Sequence, residues 1–281
     1  MVDENGKPEV ADELPFVAPC RQLPAGAPLH WIKLGWQDLC RAPLPSLALG
    51  TVMAALVAAM CLLAYLYGSY WFMFAMLAGF VFLAPLTCIG VYAISAQIER
   101  GEPVEVMRIL RAAGKRYVND QLVFSLVLLV VFLIWARAAS MVHVFFPVEQ
   151  DPRMFDLVAY FGIGTLVGAF FTLITFCISA FSLPMIMHRN VDSITAVITS
   201  VNAVLRNRAA MLTWVTLIGF GLLLGIATGF VGLIIILPLI GHAVWHAYLE
   251  TIDASAFPRH DIGITAKPRT EKPQTDYPGL P

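Results

Sequence analysis

Two histidines, His242 and His246, stand four residues apart in the run VGLIIILPLIGHAVWHAY. At that spacing both imidazoles leave one face of a helix, the arrangement by which a single helix supplies two metal ligands. His188, at the end of another apolar run, is expected at a similar depth. Three imidazoles so placed would form a site for copper, zinc or a haem edge. A second reading makes Trp245, His246 and Tyr248 an interfacial aromatic belt and leaves His242 bonded to a neighbouring carbonyl. The second is favoured, because no Cys, Asp or Glu stands beside the pair in the sequence to complete or orient a metal shell. No resident haem, copper or other cofactor is therefore expected, and no enzymatic activity. HExxH, GxSxG, Walker A and dinucleotide fingerprints are all missing.

Other chemically capable residues read the same way. Arg137 is the one formal charge expected to reach hydrocarbon, where it either snorkels to the headgroups or meets an anion. Met73, Met76, Met185 and Met187 read as packing. The five cysteines, Cys20, Cys40, Cys61, Cys88 and Cys177, form no C-x-x-C pair and read as small core residues. No Asp or Glu falls inside an expected span, which weighs against a proton-coupled pump.

These residues must be positioned by helices in lipid. The 281-residue chain is 59% hydrophobic and 13% charged, against about 25% charged in soluble domains, and its mean hydropathy is +0.76. The apolar residues lie in runs of the length that crosses a bilayer, about 20 residues, without the alternation of membrane β-strands. Six spans are expected, over about 46–67, 70–97, 121–140, 157–187 and two within 209–250, the last two joined by a tight turn near Thr228-Gly229. A net charge of −1 points to no polyanion, so nucleic acid is excluded as a partner.

Three amphipathic helices punctuate the spans. The first puts Ile32, Gly35, Trp36 and Leu39 on one face and Lys33, Gln37 and Arg41 on another, and stops at Pro43 and Pro45. The second opposes Val104, Met107 and Leu110 to Glu102, Glu105, Arg108 and Arg111. The third is capped by Asp192 or Asn190 and carries the stripe Val191, Ile194, Val197/Ile198, Val201 and Val204/Leu205. The expected architecture is all-α: a six-helix transmembrane domain over 30–252, built as three hairpins each preceded by a cytoplasmic amphipathic helix. Disordered tails are expected over 1–29, proline-rich and acidic with no apolar leader, and over 253–281.

In each hairpin the second span holds a proline, Pro85, Pro184 or Pro238, expected to kink it. Gly221, Gly225 and Gly229 form a small-xxx-small run expected to pack helices closely. True repetition and mere six-span periodicity explain the module pattern equally well. Sixteen of the eighteen Lys and Arg fall on the side that holds both tails, all but Arg137 and Arg153, so both termini are expected in the cytoplasm.

The segments GWQDLCRAP, ERGEPV, ISAFSLPMIMHRNVDSITAVITSV and ATGFVGLIIILPLIGHAVWHAY resemble the bacterial integral membrane family called domain of unknown function 2189. The resemblance runs from about Trp31 to Tyr248, its last third being the most specific. It implies a bacterial inner-membrane protein of unestablished function, and because some members carry a cytochrome c oxidase label, a link to respiration. It transfers no catalytic residue. A catalytic oxidase subunit has about twice as many spans and six histidine ligands, so an accessory, assembly or scaffold role beside other membrane subunits is the expectation. The alternative is a small-solute, lipid or metal transporter with a polar cavity near His188, His242 and His246.

Overall fold

The first amphipathic helix stops at Pro43 as expected, and Pro43 and Pro45 also begin the next helix. The computed structural model describes residues 15–68, 87–105, 118–145 and 154–259. Its first helix, α1 (Ala27–Arg41), gives way at Ala42 to α2 (Pro43–Tyr67), in whose first turn both prolines sit. A proline there loses no helical hydrogen bond, since the first amides have no intrahelical acceptor. Residues 87–99 are helical. Then follow α3 (Val118–Phe145), α4 (Met154–Ser179), α5 (Ser182–His188), α6 (Ser193–Arg206), α7 (Arg208–Ala227) and α8 (Leu233–Thr251). Among the described residues the only β pairings are two isolated bridges, Cys20 with Ile252 and Arg189 with Arg259.

Among the described residues five segments are long and apolar enough to cross a membrane: Pro43–Tyr67, Leu122–Val142, Val158–His188, Arg208–Ala227 and Leu233–Thr251. The expected second span falls largely on residues 70–86, and most of the second amphipathic helix on 106–117, outside the described residues. Helix α8 is the centre of the packing. It buries 44% of its apolar window, against 11% for α2 and for the α3 span, and its most extensive neighbours are α1 and α2.

Each amphipathic helix buries only part of its expected apolar stripe, Gly35 and Leu39 in α1 and Val191 and Val204 at α6, and turns polar or small residues inward beside them. In α6 the buried residues are Ser193, Thr195, Ala196, Thr199, Ser200, Ala203 and Val204, while Ile194 and Leu205 of the expected stripe are exposed. Small and hydroxylated side chains let backbones approach in membrane proteins, and the apolar face is left for lipid. Thus Ser200 Oγ donates to Cys177 O at 2.8 Å, and Phe181 N donates to Ser200 Oγ at 3.1 Å. In α1 the inner face is Trp31, Gly35, Asp38 and Leu39, whereas Trp36 is exposed.

Residues 15–29 and 253–259, which fall within the tails expected over 1–29 and 253–281, are packed against the helices. Residues 15–26 form a strap across α6 and the end of α8. Ala18 N donates to Thr199 Oγ1 (3.2 Å), Arg21 N to Thr251 O (2.8 Å) and Leu23 N to Asn207 Oδ1 (2.8 Å), and Asp253 N returns a bond to Pro19 O (2.9 Å). Ala18, Cys20, Ala254 and Phe257 are buried. Short apolar residues among the prolines, with backbone groups met by α6 side chains, explain the order that composition does not suggest.

Candidate functional site: a buried serine, histidine and aspartate relay

Three glycines draw four helical segments together around His242. A Cβ on Gly35 of α1 would stand 2.8 Å from Ala243 N, and one on Gly50 of α2 would collide with Ile234 O. A Cβ on Gly241 of α8 would meet Val91 Cγ1, on the 87–99 helix, at 2.8 Å. Near each glycine contact lies a polar side chain: Asp38 three residues past Gly35, Ser46 four before Gly50, Ser95 four past Val91, and His242 next to Gly241. Such spacings share a helix face or edge, so the backbone approaches bring the four polar groups to one point.

The resulting hydrogen bonds form one line. Ser46 Oγ lies 3.0 Å from His242 Nε2, and His242 Nδ1 lies 2.7 Å from Ser95 Oγ. Ser95 Oγ donates to Asp38 Oδ2 at 2.8 Å, and His246 Nε2 meets the same oxygen at 2.7 Å. Because the Ser95 proton goes to Asp38, the hydrogen bond between Ser95 and His242 takes its proton from Nδ1. The Nδ1–H tautomer leaves Nε2 to accept from Ser46, and every donor then points toward the Asp38 carboxylate. Ser46, Ser95 and His242 are fully buried and Asp38 is 3% exposed. His246 keeps 18% of its side chain open, so the line runs from the protein edge into its interior.

A second cluster holds His188 apart from this line. Its Nδ1 lies 2.9 Å from the Tyr248 hydroxyl, and its ring meets Trp245 edge-on at 5.4 Å. Trp245 Nε1 in turn donates to Glu99 Oε2 at 3.1 Å. Trp245 and Tyr248 are 1% exposed, so the expected interfacial belt is core packing. The expected neighbouring carbonyl at His242 is replaced by two serines. Among the described residues no group of three His, Cys, Asp or Glu side chains could hold a metal ion, which does not support a three-imidazole site of His188, His242 and His246.

The remaining singled-out residues divide between packing and turns. Pro238 lies inside α8 and Pro184 in the first turns of α5, just beyond the break between α4 and α5 at 180–181. The missing Pro184 amide would otherwise have served the carbonyl of Ala180, which explains where that break falls. Pro85 lies outside the described residues. Gly221 and Gly225 pack against Ile236 and Leu233 of α8. Gly229, expected to pack with them, has φ +64° and open space around its Cβ direction. It makes the expected tight turn instead, in which Gly232 N donates to Thr228 Oγ1 at 2.8 Å. Arg137 is exposed on α3, while Met185 and Met187 are buried core.

Asp38, Ser46 and Ser95 complete the line and escape a reading of the sequence by motif. The signal that could have found Asp38 is its place three residues after Gly35 and seven after Trp31, on the face that packs. For Ser46 and Ser95 it is a hydroxyl in an apolar run, each needing a partner wherever water is excluded.

Residues 72–188 match the family model described as "Predicted integral membrane protein (DUF2189)". No curated protein and no solved structure matches the chain. The match bears out the resemblance over that stretch, and the last third of the chain lies beyond it. Of the five residues in the line only Ser95 falls inside the match.

Proposed function

We propose, for a chain whose residues 72–188 are those of the integral membrane family of domain of unknown function 2189, that it is a non-catalytic accessory, assembly or scaffold protein of a membrane complex. The observation that carries this reading is the closure of the relay. Both ring nitrogens of His242, and the Asp38 oxygen that meets Ser95 and His246, are engaged by the protein's own side chains. In a buried site, groups satisfied in this way fix helix positions. The two grooves that open between α3 and α4, of about 380 and 260 Å³, are lined by residues such as Phe132, Trp135, Phe171 and Tyr160 and by no histidine. The transporter alternative, which needs an open polar cavity at His188, His242 and His246, has less support.

The proposal includes the finer architecture: six spans, with residues 70–97 as the second, in three hairpins with amphipathic helices on the cytoplasmic side. It places the protein in a bacterial inner membrane with both termini inside, on the distribution of Lys and Arg. It holds no resident haem or copper, and a respiratory complex is its proposed partner. Purification in a gentle detergent, with metal and haem quantified, tests this. Co-purifying membrane subunits without stoichiometric metal are expected; a lone protein carrying bound metal would sink the reading. Reporter fusions at both termini check the topology.

A further inference from the structure

Arg189 and Arg259 face each other in an antiparallel bridge that joins the end of α5 to the segment after α8. Asn190 N donates to Pro258 O at 2.9 Å and fixes this register. Directly paired residues of an antiparallel bridge project their side chains to the same side, so two guanidinium groups are set side by side. Arg189 Nη1 donates to Phe257 O at 2.8 Å, while its Nε is buried without an acceptor. Arg259 is exposed beside it, so the pair faces out at the edge of the protein. The nearby carboxylate is Glu99, whose Oε2 is engaged by Trp245 Nε1. Neither the Arg21–Asp253 nor the His246–Asp38 ion pair involves Arg189 or Arg259.

The position of the cluster also matters. The candidate spans Val158–His188 and Leu233–Thr251 end beside it, so Arg189 begins where the hydrocarbon-length run stops. That is the depth of lipid headgroups, where basic pockets between helices meet anionic phosphate. The planar guanidinium fork matches phosphate oxygens, and Arg259 presents its own at the exposed edge.

We propose that Arg189 and Arg259 form a binding site for a phosphate group, presented either by an anionic lipid or by a free phosphate. The site is independent of whether the protein has partner subunits. The test uses the full chain in neutral detergent, titrated with short-chain phosphatidylglycerol, with short-chain phosphatidylcholine and with inorganic phosphate, and followed by the shift in thermal midpoint. Arg189→Gln and Arg259→Gln are compared with Arg206→Gln, an exposed arginine on α6.

Phosphatidylglycerol is expected to bind more tightly than phosphatidylcholine, and each of the two bridge substitutions to weaken it roughly fivefold, the effect of about one surface charge on an anionic headgroup. Arg206→Gln leaves binding unchanged. If inorganic phosphate binds with the same sensitivity, the site stands and its phosphate is a free one. No response to either anion, or a response that both bridge substitutions leave intact, overturns the proposal. Arg259 is exposed, so its substitution reads binding even where Arg189→Gln impairs folding.

Discussion

Gly50 of α2 and Pro238 of α8 are a matched pair. Pro238 has no amide to give the carbonyl of Ile234, and that carbonyl oxygen lies where a Cβ at position 50 would collide with it. Pro238 Cγ itself lies 2.9 Å from the same point. The glycine therefore covers the backbone group that the proline frees, with Cα–H···O contact in place of an N–H donor.

Gly50→Ala should then force α2 from α8 and cost at least the upper end of the 1–3 kcal/mol typical of overpacking, about 3 kcal/mol. Gly162→Ala on α4, where a Cβ meets nothing within 4 Å, should be neutral or gain up to about 1 kcal/mol from helix propensity. Thermal midpoints in one detergent compare the two. A Gly50→Ala protein as stable as the parent would refute the pairing.

Asp38 collects the relay, so its loss strands more than one group. Asp38→Ala leaves the Ser95 hydroxyl and His246 Nε2 without their acceptor in a buried place, with an expected loss of about 3–5 kcal/mol. Asp38→Asn keeps one acceptor oxygen and should lose less than half of that. The order of midpoints, parent above Asn above Ala, is the prediction. Equal midpoints for all three would show that the line contributes nothing to the fold.

The membrane class was legible because hydrocarbon-length apolar runs have few other uses, and five such helices stand among the described residues. The relay was not, because its members come from four separate segments and only His242 and His246 share one. A scan for carboxylates beside the histidines along the chain finds none, since Asp38 is more than two hundred residues away in sequence and reaches them through the Gly35 contact. The inward face of α6 was not legible for a different reason. Its stripe of Ile and Leu is apolar enough for a core, but when the solvent is lipid the close contacts go to Thr195, Ala196, Thr199 and Ala203. Pro43 shows a third limit: a proline ends one helix and starts another equally well, and the sequence does not say which.

Asp192 should make stability depend on pH in a defined direction. Its carboxylate accepts from Ile194 N at 3.0 Å and Thr195 N at 2.9 Å at the start of α6. Partial burial pushes its pKa up, but the hydrogen bonds from Thr195 and Ile194 outweigh that and hold it below the usual carboxylate value. The folded state thus favours the charged form. This contribution is fully present above the unfolded value, about 3.9, and is lost as pH falls through the lower folded value. Asp192→Ala should cost about 1 kcal/mol at neutral pH, and the gap to the parent should close on acidification. Unfolding curves of both proteins across that range measure it; a gap that widens in acid would contradict the cap.

The amino-terminal strap gives a prediction about reactivity. Cys20 is buried beneath it, with Sγ 3.4 Å from Ala18 O and Asn202 Nδ2 3.6 Å from Sγ. Burial pushes the Cys20 thiol up, only partly offset by the Asn202 contact and by Arg206. Since the thiolate is the reactive species, Cys20 should resist a maleimide at neutral pH while Cys40, exposed at the end of α1, is labelled. Asn207 clamps the strap, accepting from Leu23 N at 2.8 Å and donating to Arg21 O at 2.9 Å. Losing one such bond costs about 1 kcal/mol, so Asn207→Ala should open the strap roughly tenfold or more often. Mass spectrometry of the alkylated peptides then shows Cys20 labelled faster by about that factor, with Cys40 unchanged as the internal control. If Cys20 in the parent protein reacts as fast as Cys40, residues 15–26 do not close over α6, and the tail begins where the sequence alone would place it.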